Sequence, residues 1–371
     1  MLAFHVLNVG HGSSVVVEYE TDAGRSFGVI DSNAHSGQTP RALIKLKQLG
    51  ATQLSFVALT HPHKDHFSGL YEVISSFQGA IDQFYSCPFG NLLQNRDRLR
   101  SLGRGLQRIL ARSDGLDERR AALEMAQILA WAERAVNVRA LDWHECKGED
   151  FSIAPPRFAN VEISTVLPPS RVISDYVSRI AKGDMSVLGR FNDNEISLAF
   201  KFLYRGKCVI LGGDGTLSNW QTRQRYERNS TKKLSGDAVN LPHHGSKYDC
   251  TPQVLSQLFY TAPRRFGVSS ADGASHPDIE VIEWLEDNSI EPFCTNLIAE
   301  CGANAQRLLI LPGVEPQMAR WIREVASTNE IQACQGDIVV KIDDSGLMTV
   351  TPEHNHPCAY RGDYDRLFGV H

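Results

Sequence analysis

Short β-branched runs open the chain. Phe4 to Val9 and Ser14 to Tyr19 read as strands joined at the turn-prone Gly10-His11-Gly12-Ser13. Phe27 to Ile30 reads as a third strand, ending at Asp31. Pro40 to Leu49 then carries leucines at 43, 46 and 49, the spacing of one helical face, and stops at Gly50. Leu54 to Leu59 is an apolar run of the buried-strand type, and Ser68 to Phe77 returns to helical spacing. Further on, strands are expected at Val161 to Leu167, Glu195 to Tyr204, Lys207 to Leu211, Val239 to Leu241 and Phe266 to Ser269. Asp278 to Leu285 reads as a helix, and Asp337 to Ile342 with Leu347 to Val350 as a hairpin. Strands and helices alternating in this order predict an α/β layered fold.

Gly90 to Val136 breaks the pattern. It is rich in Leu, Arg, Ala, Gln and Glu and has few strand signals, so a helical insertion is expected at about 90–150 of a domain spanning 1–352, with 353–371 as a tail. The segment holds Arg96, Arg98, Arg100, Arg104 and Arg108, a basic face for an anionic substrate or a protein partner. Acidic residues from Asp114 onward also fit a solvated helix surface.

Composition narrows the classes. In 371 residues, hydrophobic side chains make up 42% and charged ones 22%, with a net charge of −5, which excludes a disordered chain. An acidic balance rules out capture of nucleic acid by overall field and leaves only a local basic groove. No apolar run approaches the ~20 residues of a membrane helix. The first residues have no basic n-region, so no secretory signal is expected, and the cytoplasm is the expected location. Eight cysteines form no CxxC pair, and they read as reduced thiols.

The histidines carry more. His61, His63, Asp65 and His66 fall within six residues, directly after the strand Leu54 to Leu59. Residues two apart on extended backbone project to the same side, so His61 and His63 can grip one ion while Asp65 and His66 turn to a second. Imidazole with carboxylate suits zinc or a related first-row metal. Neither a Gly-x-Ser-x-Gly elbow nor a Walker loop is present to offer another chemistry.

Thr60 to Gly69 resembles the signature of the metallo-β-lactamase-fold hydrolases. More narrowly, the chain resembles the soluble hydrolase domain of ComEC-type competence proteins and their stand-alone relatives. The shared elements are the glycine turn Asn8 to Ser13, the HxHxDH loop, a strand ending in Gly213-Asp214, His243-His244-Gly245-Ser246, and Ser275-His276-Pro277 before a helix. The resemblance implies a four-layer αββα sandwich with two divalent transition-metal ions, zinc ahead of manganese, at one edge between the sheets. It implies Asp214 as the bridging carboxylate, and it places Asp31 behind a ligand histidine. Adjacent histidines in a loop rarely bind one ion, so their roles divide: by resemblance His244 completes the second metal with Asp65, His66 and Asp214, and His243 faces the substrate. His276 is either a donor to the leaving group or simply the residue before the helix. The first metal is completed by His144 or by water. Asn8 and Ser13 stand where the ComEC-like branch often has aspartates.

The implied function is a metal-dependent hydrolase, first of all a phosphodiesterase or nuclease, with Asp65, His243 and His276 as catalytic candidates. Two alternatives stay open: a lactonase-like acyl hydrolase on the same site, and a catalytically weak regulatory or binding module of a competence or defence system.

Overall fold

Two mixed β-sheets face each other in the computed structural model, which describes residues 1–35, 37–88, 116–146, 148–181, 193–228, 234–260, 264–273, 275–296 and 335–354. The first sheet contains β1 (Leu2–Val6), β2 (Val15–Thr21), β3 (Gly24–Ile30), β4 (Leu54–Leu59), β5 (Ile81–Ser86) and β6 (Asp142–Glu145), with the late strands β14 (Ile338–Ile342) and β15 (Met348–Pro352). Its order is β15-β14-β1-β2-β3-β4-β5-β6. The second contains β7 (Ser152–Ile153), β8 (Glu162–Leu167), β9 (Ala199–Tyr204), β10 (Lys207–Leu211), β11 (Ala238–Asn240), β12 (Phe266–Ser269) and β13 (Glu291–Cys294), in the order β13-β12-β11-β10-β9-β8-β7.

Strand alternation explains the layering. Phe200, Phe202, Val209 and Leu211 turn inward and join Leu2, Phe4 and Val6 in the core between the sheets. Phe4 meets Phe202 edge-on, with ring centroids 4.9 Å apart. The intervening Cys208 and Ile210 point the other way, onto Leu255 and Leu258 of helix Pro252–Leu258 and Val281, Ile282 and Leu285 of helix Ile279–Asp287. On the outside of the first sheet, helix Arg41–Gln48 buries Leu43 and Leu46, and helix Leu70–Ser76 buries Leu70, Val73 and Ile74. Each such side chain contributes about 1.5–3 kcal/mol by leaving water. The arrangement is the αββα sandwich that the resemblance implied, and it agrees with the α/β layering read from the residue pattern.

The span expected as an insertion is tied into this frame. Helix Leu116–Asn137 sinks Met125, Ile128, Leu129 and Ala132 into the main core, and Trp131 packs on Phe84 of β5 with centroids 5.6 Å apart. The chain then adds β6, parallel to β5, an edge strand that its polar sequence Asp-Trp-His-Glu did not announce. Arg96, Arg98, Arg100, Arg104 and Arg108 lie outside the described residues, as does the tail from 355. Among the described residues, no helix is long and apolar enough to cross a membrane.

Parallel pairing sets up the site. β3 runs parallel to β4, and β10, β11 and β12 are mutually parallel. The C-terminal ends of these strands therefore deliver Asp31, His61, Asp214, His243 and Asp272 to one edge of the sandwich, where open α/β sheets place their ligand sites.

Candidate metal centre

The loop after β4 is held from beneath by a buried carboxylate. Asp31 accepts the Thr60 amide at 2.8 Å and the Thr60 hydroxyl at 2.6 Å, and its Oδ2 also accepts the Nδ1–H of His66 at 2.7 Å. With Nδ1 engaged, the His66 ring turns Nε2 into the cleft. His61 is pinned the same way, its Nδ1 lying 3.0 Å from Thr60 Oγ1 and 3.3 Å from Ser197 Oγ. Ser197 Oγ in turn accepts the Asp214 amide at 2.9 Å, which couples the two sheets at the centre.

Six side chains converge there in two groups. His61, His63 and Asp214 each present one donor atom, all within 4.8 Å of one another, and Asp65, His66 and His244 do the same. Asp214 reaches toward both. Its Oδ2 lies 3.6 Å from His61 Nε2, while its Oδ1 lies 3.2 Å from His66 Nε2 and 3.8 Å from His244 Nε2. Asp65 Oδ2 sits 3.8 Å from His66 Nε2 and 3.7 Å from His244 Nε2.

These donors fit cations. His61 and His66 are fully buried, yet among the described residues the Nε2 of each has no hydrogen-bond partner; the 3.2 Å approach of His66 to Asp214 lacks hydrogen-bond geometry. A buried polar atom left without a partner is costly, and two facing the same carboxylate mark places where an ion would satisfy them. Burial and the neighbouring His66 charge push the His61 imidazole well below its usual range, which favours the neutral form that can offer a lone pair to an ion. Burial opposes ionisation of Asp214, but the charge of His66, with His244 beside it, outweighs burial and holds the carboxyl well below normal. At Asp65 burial is likewise outweighed, by the nearby imidazoles of His11 and His244 and the charge of His66, and this carboxyl is also held low.

The adjacent histidines part company. Both adopt left-handed backbone, with φ of 46° at His243 and 58° at His244. His244 is 4% exposed and turns inward to Asp65 and Asp214, whereas His243 lies outward with its Nδ1 2.6 Å from Asp249 Oδ2. His276 is near the outward ring, their centroids 5.8 Å apart, and its amide is tied to Asp272 Oδ1 at 2.9 Å. It stands beside His243, outside both donor groups.

Of the sequence candidates, His61, His63, Asp65, His66, Asp214 and His244 are brought together, with Asp31 directly behind. His144 is in neither donor group; it lies on β6, stacked on Tyr85 with centroids 5.1 Å apart. Four further residues bear on the site that the sequence reading passed over as participants. His11 Nε2 lies 3.2 Å from Asp65 Oδ2, and its Nδ1 lies 3.9 Å from Asp272 Oδ2. Ser197 and Asp249 complete the set with Asp272. A histidine inside a glycine turn was the only visible signal, because the partners of Ser197 lie 17 residues or more away and Asp249 and Asp272 themselves sit on turns without pattern.

No family model matches the chain, and no curated protein matches it in sequence. Among solved structures, it is similar to a diphosphatase from the PhnP family at 12% identity, with 73% of this chain and 87% of that one covered and a TM-score of 0.36. Zinc-bound PqqB from Methylobacterium extorquens is similar at 10% identity, with 79% and 97% covered and a TM-score of 0.41. The MIM-2 metallo-β-lactamase is similar at 13% identity, with 69% and 81% covered and a TM-score of 0.34. Resemblances this slight carry no weight beside the donor geometry, on which the functional reading rests.

Proposed function

We propose that this chain is a metal-dependent hydrolase that cleaves phosphodiesters, with a nucleic acid or nucleotide as substrate. One observation carries the reading: the carboxylate of Asp214 turns one oxygen to each of two histidine-bearing donor groups. His61, His63 and Asp214 would hold one divalent ion, and Asp65, His66, His244 and Asp214 the other, with zinc or manganese suited to such donors. When bound, the pair supplies water activation and a Lewis-acid clamp for in-line displacement.

The protein's own residues set what such a centre attracts. Among the described residues, two carboxylates, Asp65 and Asp214, belong to the donor set. They offset half the charge of two dications, which leaves a positive centre suited to an anionic diester ahead of a neutral lactone. His243, His276 and His11 surround it with imidazole nitrogens that can contact substrate oxygens. The resemblance of the glycine turn, HxHxDH loop and His-His-Gly-Ser element to ComEC-type hydrolase domains supports the same substrate class. Arg96 to Arg108 are the candidates for contact with longer nucleic acid.

The test is turnover by purified, metal-loaded protein on bis-p-nitrophenyl phosphate, DNA, RNA, cyclic nucleotides and lactones. Diester hydrolysis abolished by a chelator is expected. Turnover of lactones without any diester would replace this reading with an acyl hydrolase, and two bound metals without any turnover would point to a binding module.

A further inference from the structure

His243 is held on one side and open on the other. Its Nδ1 lies 2.6 Å from Asp249 Oδ2, the side chain is 30% exposed, and among the described residues its Nε2 makes no hydrogen bond. The left-handed backbone at His243, with its amide donating to the Gly213 carbonyl at 2.8 Å, keeps the ring from following His244 inward. Such φ values are unusual in residues other than glycine and persist where the surroundings impose them.

Asp249 is itself fixed. Its Oδ1 accepts the amide of Leu217, the first residue of helix Leu217–Arg228, at 2.8 Å, and its own amide donates to Ser246 at 3.1 Å. A backbone N–H can only donate, so Oδ1 can only accept. That leaves Oδ2 for the imidazole and requires a proton on Nδ1 between them. In the neutral ring the proton is then absent from Nε2, and the lone pair there points away from Asp249.

We propose that Asp249 is a positioning residue that locks His243 as its Nδ1–H tautomer, making Nε2 a proton acceptor beside the donor cluster. The chemical consequence rests on the phosphodiesterase reading above; the tautomer does not. An acceptor at this place takes a hydrogen bond from water or from a substrate O–H, and a ring with the opposite tautomer offers a donor instead. An aspartate behind a histidine serves that purpose when the ring must keep one orientation and one tautomer through a reaction.

Asp249→Asn inverts the lock without changing its shape. The amide must keep its carbonyl oxygen toward Leu217, because the reverse orientation sets two donors against each other at a cost of about 1–3 kcal/mol. Its NH₂ group then faces Nδ1, which has to accept, and the ring proton moves to Nε2. Nitrogen-15 spectra of the labelled protein at alkaline pH, with the His243 signals assigned by their loss in His243→Gln, read this directly. Wild-type protein is expected to show a protonated Nδ1, Asp249→Asn a protonated Nε2, and Asp249→Ala a mixture. In the same variants kcat for bis-p-nitrophenyl phosphate is expected to fall ~10²-fold with KM and bound metal little changed. A protonated Nε2 in the wild type, or the same tautomer in Asp249→Asn, overturns the proposal, and so does an unaltered kcat. A wild-type protein inert on every diester would overturn the hydrolase reading alone, and the spectra would still decide the role of Asp249.

Discussion

Asp31 Oδ2 and His66 Nδ1 are 2.7 Å apart, sealed from solvent, and 35 residues distant in the chain. Asp31 adopts left-handed backbone at φ 58°, which turns it out of β3 and under the following loop. Burial raises its carboxyl, opposed by the His66 charge and by hydrogen bonds from His66 and Thr60. Whatever ion His66 holds through Nε2, Asp31 sets the ring's angle and the side of its proton.

Asp31→Asn should therefore weaken metal binding before it unfolds the protein. Asparagine tolerates the left-handed backbone, so the turn survives. Its carbonyl oxygen stays on the Thr60 amide, so an NH₂ group faces His66 Nδ1 and drives the ring proton to Nε2, the atom that would hold the ion. Loss of such a partner typically costs 10- to 100-fold in metal affinity. Calorimetric zinc titration is expected to show one of two sites weakened by about that factor, with a cooperative melt retained. Unchanged affinity at both sites would count against the assignment.

The strands that feed the site were legible because their runs are mostly apolar and lead straight into polar turns, Leu54 to Leu59 into Thr60-His61 and Lys207 to Leu211 into Gly212-Gly213-Asp214. The clustered donors were legible because four of them, His61, His63, Asp65 and His66, sit within six residues. β5 and β6 escaped notice because Asp82, Gln83, Asp142 and His144 interrupt their apolar pattern, although Phe84, Tyr85 and Trp143 are buried. Ser197 and Asp249 act through contacts made only after folding, 136 residues from His61 in one case and on a featureless turn in the other. The glycine turn was visible as a turn, but the approach of His11 to Asp65 is a tertiary fact.

That turn yields a second prediction. Gly12 has φ 110°, and a Cβ there would fall 2.1 Å from the carbonyl oxygen of Asp65, an oxygen that also accepts the Ser13 amide at 3.2 Å. Only glycine permits both the backbone angle and the approach. Gly12→Ala must displace the Asp65 backbone, and with it the ligand loop. A lowered melting temperature together with fewer bound metals per chain is expected. Full metal content at an unchanged melting temperature would show that the loop can shift freely.

Glu18 gives a pH-dependent prediction away from the site. His5 Nε2 lies 3.1 Å from its carboxylate and Arg25 Nη1 3.5 Å, and both His5 and Glu18 are buried. The hydrogen bond from His5, with lesser help from Arg25, holds the carboxyl below the 4.5 of a free glutamate against the opposing effect of burial. A depressed folded value means that this group stabilises above pH 4.5 and ceases to do so as pH falls through the folded value. Glu18→Gln should thus melt lower than wild type at neutral pH, with the gap closing as pH falls below 4.5 and through the lower folded value. Differential scanning calorimetry of both proteins across pH checks the sign; a gap that widened in acid would refute it.

Asp65 and His276 separate holding a metal from contacting a substrate. Asp65 belongs to a donor group and lies between His11, His66 and His244, whereas His276 belongs to none and stands beside His243. Asp65→Ala should leave the fold intact, because its backbone oxygen still receives the Ser13 amide and the lost side chain is partly open to solvent. It removes an anionic donor beside buried imidazoles, so one metal equivalent should be lost and activity should fall by several kcal/mol of transition-state stabilisation. His276→Ala takes away a single donor and should cost roughly 10²- to 10³-fold in kcat with both metals retained. Elemental analysis beside steady-state kinetics distinguishes the two losses. Equal and mild effects in both variants, with metal content untouched, would mean that Asp65 is no ligand and that the donor geometry serves some other end.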